Sequence, residues 1–128
     1  MAIVPDLAWR HQTFGNDALA WQQAKLEVRS HLIETARRRS IITYMELAQH
    51  IVSVKLPRTG AAFGSAIGLV LGQVSADESD RLGKPMMLAA VAVNVNLKPG
   101  PGFLGLVNDL GWPGDWSDWL VKVWKQYA

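Results

Sequence analysis

The chain has 128 residues, of which 49% are hydrophobic and 19% charged, with a net charge of +2 and no cysteine. A chain of this length buries a core without metal or disulfide staples, so a single domain over residues 1–128 is expected, and its composition lies outside the disordered class. Lack of cysteine excludes disulfides, thiolate metal sites and cysteine nucleophiles, and it fits a reducing cytoplasm.

The first residues, "MAIVPDLAWRHQ", lack the basic segment and unbroken apolar run of a signal peptide, so a cytoplasmic protein is expected. The next stretch, "NDALAWQQAKLEVRSHLIETARRR", offers Asn16 or Asp17 as N-cap and continues with good helix formers. Ala18, Trp21, Lys25, Val28, Leu32 and Ala36 recur at three- and four-residue steps, with Leu26 and Ile33 beside them, which predicts a long first helix with one apolar stripe. A second helix is expected from Thr43, where the hydroxyl of Thr43 and the carboxylate of Glu46 form a capping box. It would bury Leu47, Ala48, Ile51 and Val52 and end before Pro57.

The spacing of Phe63, Ile67, Val70, Leu71 and Val74 predicts a third helix over about residues 59–74. Gly60, Gly64, Gly68 and Gly72 fall one turn apart along it and strip one face of side chains, which predicts close packing of another backbone or a partner there. The stretch of residues 61–74 is also the most apolar, yet it is shorter than the roughly 20 residues that span a bilayer, so no membrane segment is expected. "SADESDRLGKP" reads as a polar loop in which Asp77, Glu78 and Asp80 are solvated, with cation binding as the alternative. "MMLAAVAVNVN" alternates as a strand does, and "LKPGPGF" reads as a turn. "FLGLVNDLG" is expected to be a short helix closed by Gly111, and "DWSDWLVKVWKQYA" a last helix with Trp116, Trp119, Leu120, Val123 and Tyr127 on its apolar side. The predicted class is therefore α+β, mostly helical.

"ITYMELA" (42–48), "GAAFGSAIG" (60–68), "GKPMMLAAVAV" (83–93) and "PGPGF" (99–103) follow one another in an order that resembles the winged-helix DNA-binding domain of the O6-alkylguanine alkyltransferase and alkyltransferase-like family. There a "TYGxLA" helix precedes an "ARAVGxA" recognition helix, a strand-like segment with a Pro-Cys-His-Arg motif, and a glycine-rich wing. The resemblance covers about half of the chain and implies a winged-helix-like fold with nucleic acid as partner. It does not extend to the chemistry: Met86 and Met87 follow Pro85 and no cysteine is present, so alkyl transfer is excluded. "GAAFGSAIG" also has no arginine where the family has its arginine finger.

Charge is uneven along the chain. Residues 25–60 hold seven basic side chains (Lys25, Arg29, Arg37, Arg38, Arg39, Lys55 and Arg58) against Glu27, Glu34 and Glu46, a surplus suited to a polyanion. DNA or RNA would be held at its backbone by Arg37, Arg38, Arg39, Thr43, Tyr44, Lys55, Arg58, Thr59, Ser65 and Lys98. The bland alternatives are cations complementing a helix C-terminus and an ordinary capping threonine. Base readout is not expected, since the third helix offers only Ser65 and Gln73 as hydrogen-bonding side chains facing a groove. The rival expectation is a protein-interaction module, a homodimer or an accessory or immunity-type protein, using Gly64, Gly68, Trp112 and Trp124. A nuclease or other hydrolase ranks third: His11, His31 and His50 have no metal-site spacing, and no cofactor, metal or catalytic residue is assigned.

Overall fold

The computed structural model describes residues 2–128, apart from the side chain of Leu104. Helix α1 (Ala18–Arg37) begins where the Asp17 carboxylate accepts from the Ala20 amide at 3.0 Å. It buries Trp21, Ala24, Val28, Leu32, Ile33 and Ala36, so the stripe runs through Ala24 rather than Lys25, and Leu26 faces solvent. Strand β1 (Ile42–Thr43) leads directly into α2 (Tyr44–Gln49), with the expected capping box: Thr43 Oγ1 accepts from the Glu46 amide at 3.1 Å and Glu46 Oε1 from the Thr43 amide at 3.3 Å.

Helix α2 is shorter than its apolar pattern suggests, ending at Gln49 and not near Pro57. The cause is Glu27, whose carboxylate accepts from the Val52 and Ser53 amides at 3.2 Å each and holds the chain in a loop against α1. Leu47, Ala48 and Ile51 are buried as expected, whereas Val52 points into solvent.

Helix α3 (Gly60–Leu82) departs from expectation in the opposite direction. The expected polar loop at 75–82 is the second half of a 23-residue helix closed by left-handed Gly83. Its acidic residues are ion-paired, with Glu78 buried, Asp80 partly buried and Asp77 exposed. Asp77 pairs with Lys25 and Arg10, Asp80 with Arg10, and the fully buried Glu78 with Arg29 and Arg81. Ser75 and Ser79, also buried, accept from the Ala89 and Met86 amides at 2.9 and 2.8 Å and tie the following segment down. A polar sequence continues as a helix because every polar side chain on its inner side has a partner in α1, the N-terminal segment or the 86–91 segment.

That segment corrects the expected strand. Met86–Val93 is buried throughout, but it forms a 3-10 turn at Leu88–Val91 and only two residues of strand, β2 (Ala92–Val93), which pairs in parallel with β1 through Ile42–Ala92 and Thr43–Val93. Packed between α1, α3 and α5, it needs apolar residues on every side, and this unbroken burial imitates a strand in the sequence. Its backbone is satisfied largely by serine hydroxyls and by the Trp116 indole, which donates to the Ala90 carbonyl at 2.7 Å.

Helix α4 (Pro101–Leu110) takes Pro101 as its first residue and ends at left-handed Gly111, so the expected "LKPGPGF" turn becomes the first turn of a helix from Pro101 onward. Helix α5 (Trp116–Gln126) is capped by Asp115 and buries Trp119, Leu120 and Val123 in the core, with Trp116 and Tyr127 half-buried. The class is mostly helical α+β with one two-stranded parallel sheet. No helix of the described residues is long and apolar enough to cross a membrane.

Candidate functional site

The glycine face of α3 does not meet another backbone. A Cβ built on Gly64 or Gly68 would have nothing within 4 Å, and one on Gly72 would sit in ordinary contact with Leu106 and Trp9. The face forms one wall of an open groove of about 480 Å³, completed by Tyr44, by Gly100–Phe103 and by Leu106. The close packing expected from the sequence is therefore replaced by accessible helix backbone.

Tyr44 fixes the opposite wall. Its hydroxyl accepts from the Gly100 amide at 2.7 Å, joining the start of α2 to the start of α4 across 56 residues of sequence. Burial pushes its phenol above the usual value, outweighing the amide that favours the charged form, so the hydroxyl stays protonated and its hydrogen remains available as a donor. Glycine at position 100 permits this close approach, since a Cβ would lie 3.0 Å from the Tyr44 oxygen and press on the ring. Ser65 is the polar side chain on the α3 wall.

Two helix starts face the same groove. Ala61, from the first turn of α3, and Pro101 and Gly102, from the first turn of α4, all line it, and neither helix has a side-chain cap. Thr59 occupies the N-cap position of α3 without a side-chain hydrogen bond, and Gly60 has φ +68°, which glycine adopts without strain. Uncapped amides and the helix dipole give this mouth a positive character. Arg58 and Lys98, three residues before Ala61 and two before Gly100, are exposed.

The basic residues divide into two sets. Among the described residues, ion pairs take Arg10, Lys25, Arg29 and Arg81 at the seam of α1 and α3. Arg37, Arg38, Arg39, Lys55, Arg58 and Lys98 are exposed and have no carboxylate partner, as is true of Lys84, Lys122 and Lys125. None of them lines the glycine groove. Arg37 lines a separate cleft with Arg29, Arg81 and Tyr127, whereas Tyr44, Ser65, Gly64 and Gly68 share the groove. Thr43 stays at the α2 cap. Trp112 and Trp124 are half-buried against the core, and the Trp124 indole donates to the Ser40 carbonyl at 3.0 Å.

Gln73 cannot face a groove. It is fully buried, accepting from the Trp21 indole at 2.7 Å and donating to the Trp9 and Gln12 carbonyls at 2.7 Å each. The cleft beside Arg37 ends on a comparable internal network. Burial pushes the Glu78 carboxyl up, but hydrogen bonds from Arg81, Arg29 and Tyr127 outweigh it and hold it down at about 2. His31 and His50, distant in sequence, stack at 3.9 Å between ring centroids. No group of three or more His, Asp or Glu residues able to hold a metal occurs among the described residues.

Groove residues missed in the sequence are Ala61, Ala89, Phe103 and Leu106, which supply its apolar surface. Their signal is indistinguishable from that of core residues, since apolar side chains at helical spacing mark both. Compared with known proteins, the chain matches no protein family, no curated protein and no solved structure.

Proposed function

We propose that the chain is a non-enzymatic, winged-helix-like nucleic-acid-binding domain that grips the sugar-phosphate backbone and seats one unstacked base in the α3–α4 groove. The groove carries this reading: an apolar slot with glycine backbone on one wall and an aromatic ring on the other, entered past two uncapped helix starts. Its volume falls within the roughly 300–1,000 Å³ of ordinary ligand sites. Every base has a flat apolar face that an aromatic ring and a side-chain-free helix can contact, and each such contact is sequence-tolerant. Phosphates adjacent to that base would meet the amides opening α3 and α4 and the cations Arg58 and Lys98. The order of "ITYMELA", "GAAFGSAIG", "GKPMMLAAVAV" and "PGPGF" along the chain, resembling the alkyltransferase-like domains, supports a winged-helix-like organisation.

Arg37, Arg38, Arg39 and Lys55 would add backbone contacts away from the groove, and Thr59 would add a hydroxyl at the start of α3, whereas the Thr43 hydroxyl is engaged in the α2 capping box. A second reading is favoured by the same apolar lining: a protein segment, or a second copy of the chain, laid against Gly64 and Gly68. Gel-shift titration over a salt series separates the two. Nucleic-acid binding is expected to weaken steeply with salt, and Arg58→Ala with Lys98→Ala should lower the log–log slope by about 1 for each phosphate that is no longer neutralised. No binding at low salt, together with a mass by light scattering that rises with concentration, overturns it in favour of the protein partner.

A further inference from the structure

The buried carboxylate of Glu78 has more donors than it can use. Its side chain is 1% exposed, and its two oxygens accept from Nε and Nη2 of Arg29 at 3.0 and 3.3 Å, from Nε and Nη2 of Arg81 at 2.9 Å each, and from the Tyr127 hydroxyl. An ionised carboxylate offers about four lone-pair positions, and one bidentate arginine with one hydroxyl already occupies both oxygens. The second guanidinium therefore leaves one positive charge uncompensated. Among the described residues, Nη1 of neither arginine makes a hydrogen bond. Both arginines line a cleft of about 510 Å³ between α1 and the ends of α3 and α5, with side chains 36% and 55% exposed. Arg37, exposed and without a carboxylate partner, lines it too. It lies eight residues beyond Arg29 on α1, a rise of about 12 Å that two long side chains bridge from either end.

We propose that this cleft binds a small hydroxylated phosphomonoester of the sugar-phosphate class, its phosphate held among Arg29, Arg37 and Arg81. A planar carboxylate is satisfied by one guanidinium fork. Three guanidiniums around one space instead match a tetrahedral phosphate, whose oxygens accept from several sides at once. The cleft is far larger than a phosphate group and falls in the size range of ligand sites, so an organic part accompanies the charge. Ser30 and Glu34 line the cleft and suit hydroxyls on that part, while the Glu34 charge opposes a second phosphate. The site is also ordered before any ligand arrives. Glu78 fixes two of the guanidiniums, and the His31 ring at the cleft wall is held in its stack on His50 at 3.9 Å. Little side-chain ordering is left to oppose binding. The cleft shares no lining residue with the glycine groove, so this inference goes beyond the nucleic-acid reading and does not depend on it.

The test is isothermal titration of the full chain at fixed ionic strength with glycerol 3-phosphate, inorganic phosphate, glycerol and dimethyl phosphate, alongside NMR of the arginine Nε–H signals. Glycerol 3-phosphate is expected to bind saturably, more tightly than inorganic phosphate, and to shift the Arg29 and Arg81 signals, whereas glycerol should not bind. Arg37→Ala removes an exposed side chain that has no partner, so it should melt like wild type while raising the Kd at least about tenfold, the loss of one charge-assisted contact. Lys84→Ala, which removes an exposed cation outside the cleft, should bind like wild type. Four results would each overturn the proposal: no saturable binding, equal affinity for the diester dimethyl phosphate, binding that leaves both arginine signals in place, or equal loss in the two variants. None of them touches the gel shift, which reads the groove with nucleic acid.

Discussion

The two halves of α3 answer the same question in opposite ways. From Ser75 to Leu82 the helix is polar in sequence yet internally satisfied, with Ser75, Glu78 and Ser79 buried and Asp77 and Asp80 paired to Arg10 and Lys25. From Gly60 to Gly72 it is apolar with one glycine-lined face, on which a Cβ at Gly64 or Gly68 would meet nothing within 4 Å. The polar half is occupied by the protein itself, and the glycine half is left open. Polarity is thus a poor guide to which part of a helix is free to act. Partner satisfaction is the better one: a group whose bonding is complete has nothing further to offer, whereas accessible backbone beside an aromatic ring does.

The largest effect should come from breaking the satisfied half. Glu78→Ala removes a buried carboxylate that holds Arg29, Arg81 and Tyr127 together, and leaving its partners unmatched should cost about 3 kcal/mol, read as a lower urea midpoint. The same carboxylate predicts a pH dependence. Its pKa is depressed from 4.5 to about 2, so the stability it contributes is complete above about 4.5 and is lost as the pH falls toward 2. Thermal melts across that window should show the loss in wild type and a flatter profile in Glu78→Gln.

A smaller cost is expected at the boundary between the halves. Gln73→Ala strands the Trp21 indole and the Trp9 and Gln12 carbonyls, for about 2 kcal/mol of destabilisation by denaturant titration. The open half should respond with the opposite sign. Gly64→Ala and Gly68→Ala introduce no contact and restore helix propensity, so each should raise stability by roughly 1 kcal/mol. Destabilisation by either would mean that the face is packed and would remove the contrast. Gly64→Leu is expected to leave the melting temperature near wild type while abolishing nucleic-acid binding in the gel shift.

Local chemistry made much of this protein legible in its sequence. Asp17, the Thr43–Glu46 box, Gly111 and the apolar side of α5 act within one helical turn, so their effect can be read from spacing alone. The site was legible only piecewise. Tyr44, Gly64, Ser65 and Gly68 could be singled out by residue type, but their convergence on one groove depends on the Tyr44–Gly100 hydrogen bond, which no spacing rule foresees.

Non-local partners decided the rest. Glu27 ends α2 before its apolar pattern does, and the salt bridges and serine bonds of residues 75–80 extend α3 through a stretch that resembles a loop. Burial of residues 86–93 on all sides turns the first part of an alternating run into a 3-10 turn and two residues of strand. The sequence by itself determined composition, caps and apolar stripes, because those are set by neighbours three or four residues away. Tertiary structure alone decided which charges are neutralised and which glycines are left open, because both depend on what another element, tens of residues distant, brings opposite them.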